Sequence, residues 1–168
     1  MAKKTAGWPL PDILEPNPRP EHVFNTFYRH STNKFRFVPE NPKDAVPNSP
    51  PDMIHIFESC HVKLVAQPPE AHEPEWSFAG QDRIQMNADT GTRYRFARQG
   101  IPHESPNLNA GYDQLVFIAE LLRKNIYNID SFSMDVAVAT NHKLNGVSTF
   151  VIVQAVDPDI KNPGDDPD

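Results

Sequence analysis

The sequence predicts an α+β fold that is mostly β: one or two antiparallel sheets, or a sandwich, with one main α-helix and a proline-rich N-terminal arm. Three observations predict it. Short aromatic and β-branched runs that alternate with a period of two recur between residues 23 and 156. One stretch alone, residues 112–127, carries apolar side chains at helical spacing. The 18 prolines of the 168-residue chain gather between these segments, where a missing backbone donor and a fixed φ exclude regular structure.

Residues 1–22 form the arm. Pro9, Pro11, Pro16, Pro18 and Pro20 keep it extended, and Trp8, Leu10, Ile13 and Leu14 are large apolar groups with no local element to bury them. They either tuck against the chain's own domain or dock on a neighbouring copy or partner. Residues 23–157 form a single β-rich domain. In it, Val23–Tyr28 and Lys34–Val38 read as strands, with Phe35 and Phe37 on one face and Lys34 and Arg36 on the other. A proline loop covers 39–52. Residues 53–66 read as one strand with Ile54, Ile56, Cys60, Val62 and Leu64 on a common face, interrupted by Glu58, which marks a bulge.

After a second proline loop, residues 83–87 and 92–96 read as a hairpin around Asp89-Thr90-Gly91. The helix follows at 112–127. Leu115, Ile118, Ala119, Leu122 and Ile126 form its stripe, and Val116, Phe117 and Leu121 widen the apolar surface beyond one face. Such a helix is either covered on several sides or packs on a sheet and on another subunit, and assembly predicts that Phe117 and Leu121 meet a second copy. Residues 131–140 and 147–156 form a last hairpin whose second strand is apolar on both faces, the pattern of an internal strand. Residues 158–168 are an acidic tail, expected to be flexible.

Composition bounds function by exclusion. The net charge is −6, with +2 on residues 1–50 and −5 on residues 107–168. An acidic chain argues against nucleic acid, whose phosphates are bound by cations. No apolar run approaches the roughly 18 residues of a membrane helix. Lys3 and Lys4 are not followed by the apolar stretch of a signal peptide. The expectation is a protein that stays in the cytoplasm or joins a particle assembled inside the cell. The single cysteine, Cys60, excludes an internal disulfide.

Candidate chemistry is sparse. His55 and His61 share a strand face but lie about 20 Å apart along an extended chain, too far for one metal. Cys60 and His61 are adjacent and point to opposite faces, so Cys60 reads as a small core residue. His72, Glu73, Glu75, His103 and Glu104 have cation-binding chemistry but fall in two groups that nothing in the sequence joins. Arg93 and Arg95 alternate with Tyr94 and Phe96, which puts the aromatics in the core and the arginines outside, facing solvent or the carboxylates of a partner. Phosphate-loop, dinucleotide and nucleophile-elbow patterns are absent, and no cofactor is indicated.

These features predict a non-enzymatic structural or interaction protein that assembles with itself or with other protein subunits, as viral and phage particle components do. Its contact residues are expected to be Trp8, Leu10, Ile13, Leu14, Phe117, Leu121, Arg93 and Arg95. The alternative is a small-ligand-binding module or enzyme with a pocket between sheet and helix.

Overall fold

Alternating burial defines the first strands of the computed structural model, which describes residues 19–80, 85–87, 92–121, 128–155 and 158–162; for 85–87, 97–99, 128 and 162 only the backbone is described. In β1 (Glu21–Arg29) Phe24, Thr26 and Tyr28 point inward, and in β2 (Lys34–Pro39) Phe35 and Phe37 do. A 3-10 turn, Pro42–Asp44, leads to β3 (Met53–His55), β4 (Cys60–Ala66), β5 (Trp76–Phe78) and β6 (Gln85–Asn87). Then come β7 (Thr92–Pro102), β8 (Tyr112–Leu121), β9 (Asn128–Leu144), β10 (Val147–Ala155) and β11 (Asp159–Asn162).

The strands join into one sheet that curls into a nearly closed barrel, in the order β2-β1-β4-β8-β5-β9-β11-β3. β7 pairs with β8, and β6 and β10 with β9, off this path. The ring closes where the Phe37 N–H in β2 donates to the Pro51 carbonyl just before β3, at 2.9 Å. Most pairs are antiparallel, as expected, but β1 runs parallel to β4 and β11 parallel to β3.

The main α-helix is not there. Residues 112–121 are strand β8, and 122–127 lie outside the described residues. β8 is flanked by β4 on one edge and β7 on the other. It is buried on both faces: Leu115, Phe117 and Ala119 enter the core, and Val116 and Ile118 on the opposite face are equally covered. A strand covered twice loses its polar alternation, and a continuous apolar run then matches a helical stripe by chance. The α+β assignment is therefore replaced by a nearly all-β one.

Three further expectations change. The 53–66 strand is broken after His55. β3 pairs with β11, whereas β4 pairs with β1 and β8. The break falls at residues 56–59, around Glu58, whose side chain leaves the core to meet His22. The turn of the expected 83–96 hairpin lies outside the described residues, and its described strands take other partners, β6 pairing with β9 and β7 with β8. The last hairpin does form, and it is longer than predicted. β9 runs to Leu144, and Asn145 and Gly146, both at positive φ, make a two-residue turn. The second strand of this hairpin is not the internal strand expected. Among the described residues β10 pairs with β9 alone, and its Phe150, Val151 and Ile152 are exposed. The apolar pattern on both faces does not record whether the chain itself supplies the cover.

β9 organises the second half of the fold. β5 and then β6 line one of its edges, while β10 and then β11 line the other. β11 lies within the segment read as acidic tail, and its Ile160 is buried. At the centre, Tyr28, Phe35, Trp76 and Phe78 pack with ring centroids 5.2–6.5 Å apart. Such pairs contribute about 0.5–1.5 kcal/mol each beyond burial.

Gly111 sets the approach of the 103–111 loop to β5. Its φ is +77°, and a Cβ there would lie 2.1 Å from the Phe78 carbonyl oxygen and 2.3 Å from Ser77 Oγ. Gly111→Ala is expected to cost about 2 kcal/mol or more. Thermal melting reads this as a fall of several degrees; an unchanged midpoint contradicts it.

Candidate functional site

The β9–β10 ribbon departs from the burial logic of the rest of the chain. Val136, Ala137 and Val138 of β9 are buried between β5 and β10. The last β5-side bond is from the Ala139 N–H to the Glu75 carbonyl, and beyond it β9 pairs with β10 alone. Residues 141–147 are all exposed. The large apolar side chains Leu144, Val147, Phe150, Val151 and Ile152 are 44–67% exposed. Val147 sits directly opposite Leu144, and Phe150 and Ile152 lie opposite Ala139 and Ala137. Fully burying one such side chain contributes roughly 1.5–3 kcal/mol, so several kcal/mol of hydrophobic free energy go unrealised in a single copy.

The polar edge of β10 is also open. Asp135 accepts from the Ala79 N–H and Ala139 donates to Glu75, so both turn their backbone groups toward β5. Their β10 partners, Gln154 and Phe150, therefore turn theirs away from β9. With a period of two, Ile152 does the same. The Gln154 carbonyl is taken by Asn33 Nδ2 at 3.0 Å, and no hydrogen bond is formed by the outward backbone groups of Phe150 and Ile152 among the described residues. Native edge strands are protected by lysine, proline or charge, yet Val147–Ala155 contains none of these. Its only irregularity is a register shift between Ser148 and Phe150.

The predicted contact residues fall elsewhere. Trp8, Leu10, Ile13 and Leu14 lie outside the described residues. Phe117 is fully enclosed by the chain's own core, and Leu121 is half-buried against it, so Phe117 offers a second copy no surface. Tyr94 and Phe96 pack inward, leaving Arg93 exposed and Arg95 partly covered on the opposite face. Their counter-charge is internal: Glu120 on β8, directly opposite Arg93, accepts from Arg93 Nε at 2.9 Å and Arg19 Nη2 at 2.6 Å, and Arg95 Nη2 lies 3.8 Å away as an ion pair. Burial raises the Glu120 carboxyl, but Arg93 and Arg19 outweigh it and hold the group below its usual range.

The loop residues divide. Glu75 and His103 do meet, although 28 positions separate them. The His103 Nε2–H donates to Glu75 Oε2 at 2.6 Å and its Nδ1–H to Asp113 Oδ1 at 2.6 Å. Glu73 instead caps the β1–β2 turn through the His30 N–H and the Ser31 hydroxyl, both at 2.7 Å. His72 and Glu104 are exposed. A second clamp of the same design holds His22 between Asp44 at 2.8 Å and Glu58 at 2.9 Å. His55 and His61 sit on separate strands, and burial pushes the Cys60 thiol up to about 12, which keeps it protonated and unreactive. Among the described residues no three His, Cys, Asp or Glu side chains are placed to hold a metal ion, and no helix is long and apolar enough to cross a membrane.

Both clamped histidines titrate above their ordinary value. Burial alone lowers them, but hydrogen bonds and charge from the paired carboxylates raise them further than that. The stability they contribute is fully present below about pH 6.5 and is lost as pH rises through the raised folded values. His55 has the opposite sign, since burial and then Lys161 lower it. Its contribution is present above about pH 6.5 and is lost as pH falls through the lowered value. Replacing both clamped residues, His22→Gln with His103→Gln, is expected to remove a decline in melting temperature between about pH 6 and about pH 8. An unchanged slope contradicts the clamps.

No model of a protein family matches the chain, and no curated protein is similar to it.

Proposed function

We propose that this is a structural or interaction protein that assembles with a second copy of itself by adding β10 of one copy to β10 of the other. The observation that carries this is the uncharged, apolar edge of β10, with Phe150, Val151 and Ile152 exposed and the backbone groups of Phe150 and Ile152 facing outward. Two-fold pairing requires a surface that complements itself. An antiparallel β10–β10 pair supplies this, because Val147–Ala155 carries no charge to be repelled by its own image. It satisfies the open donors and acceptors and covers the projecting ribbon, which as two isolated strands is only marginally stable in water. Strand addition draws affinity from main-chain hydrogen bonds and specificity from alternate side chains.

Light scattering behind size-exclusion chromatography, over a hundredfold range of protein concentration, tests the reading. The expected result is a mass that rises from 19.0 kDa toward twice that value or a higher even multiple. A constant monomer mass throughout overturns it.

A further inference from the structure

A second feature stands apart from the β10 edge and is independent of that reading. A cavity of about 580 Å³ opens between the end of β4, the start of β5 and the β7–β8 connection. Its volume falls in the range of small-molecule sites, about 300–1,000 Å³. Its walls are apolar, from Val65, Pro68, Pro69, Trp76 and Ile101. Ile101 is 51% exposed, an aliphatic side chain that the chain itself leaves half uncovered.

The polar part of the lining is concentrated. Glu75, His103 and Asp113 are the charged groups in it, and Gln67 and Gln114 are neutral. His103 spends both ring N–H groups on one oxygen of each carboxylate. No hydrogen bond to the second oxygens, Glu75 Oε1 and Asp113 Oδ2, is formed among the described residues. With His103 protonated, two carboxylates and one imidazolium leave a net charge of −1. An anion meets no free cationic donor here, because the imidazolium is already satisfied and the Gln67 and Gln114 amides are neutral. A cation meets two carboxylate oxygens and an apolar wall.

We propose that this cavity binds a small organic monocation, a primary ammonium or guanidinium on an apolar body, with the cationic head on the second carboxylate oxygens of Glu75 and Asp113, beside His103, and the body against Pro68, Pro69 and Ile101. The ligand competes with the His103 proton for the same two carboxylates. Binding therefore strengthens as pH rises through the imidazole titration, when the lining charge moves from −1 toward −2. A merely structural clamp gives no such gain.

The test uses the full chain, with phenethylammonium chloride as probe and the uncharged phenethyl alcohol as control, followed by chemical-shift changes at the Trp76 indole and the Gln114 side chain. Saturable shifts are expected with the ammonium and not with the alcohol, and the dissociation constant should fall as pH is raised from about 6 to about 8. Glu75→Gln and Asp113→Asn should each weaken binding on the order of tenfold. Should Glu75→Gln fail to fold, the more exposed Asp113→Asn gives the same reading. Absence of saturable shifts, equal binding of the alcohol, weaker binding at higher pH, or wild-type affinity in Asp113→Asn each overturns the proposal. None of these outcomes bears on assembly through β10, which is read by native mass.

Discussion

Lysine at positions 150 and 152 converts the assembled protein to a single chain. Phe150 and Ile152 stand on the outer face of β10, 46% and 48% exposed, and their backbone groups are the ones a second strand would engage. Phe150→Lys with Ile152→Lys removes two apolar contacts from each copy and sets four ammonium groups against one another across the two-fold axis. Charge of this kind is what native edge strands use to prevent strand addition. The expected loss in association constant is at least about a hundredfold. Stability of the isolated chain should change by no more than about 1 kcal/mol, because each side chain is left nearly half exposed in it. An assembly of unchanged mass in this variant contradicts the proposed interface. A variant that is both monomeric and unfolded is told apart by circular dichroism, and Val147→Lys, at the 67%-exposed turn, then repeats the test with less disturbance to β10.

Phe117→Ala produces the opposite pattern. The ring is fully buried in β8 and packs edge-on against Tyr94 with centroids 6.2 Å apart. Truncating a buried phenylalanine costs about 3–5 kcal/mol, a large share of the roughly 5–15 kcal/mol that holds a domain folded. Denaturant unfolding should show the midpoint falling sharply, while the fraction that remains folded keeps its wild-type mass at a given concentration. The sequence reading places Phe117 on a helix face between copies, and that reading predicts a change in mass first. The two accounts separate on which observable moves.

Why one residue admits two such different readings is a matter of what periodicity encodes. β2 was legible because its Lys34/Arg36 face is wet and its Phe35/Phe37 face is dry. β8 was not, because cover on both faces erases that contrast and leaves a run whose spacing also fits a helix. Glu58 was recognisable as an interruption, and the structure turns it into a break between two strands with different partners. β10 was recognisable as apolar on both faces, but the sequence cannot distinguish a strand covered by its own chain from one awaiting another. Alternation puts Arg93 and Arg95 on the face opposite the inward Tyr94 and Phe96. Their counter-charge, Glu120, was hidden because it depends on the register of β7 against β8. The His22 and His103 clamps each join residues 10–36 positions apart, and no local spacing marks them.

The backbone amides of Phe150 and Ile152 test the central claim most directly. In a lone chain both face solvent beyond the edge of β10, and in the proposed pair both donate across it. Hydrogen exchange resolved at single residues, on samples spanning the concentration range in which the mass rises, should show these two amides slowing together with assembly while those of Val151 and Val153, which face β9, stay protected at every concentration. Rapid exchange at Phe150 and Ile152 in the fully assembled sample would place the contact elsewhere and contradict the account.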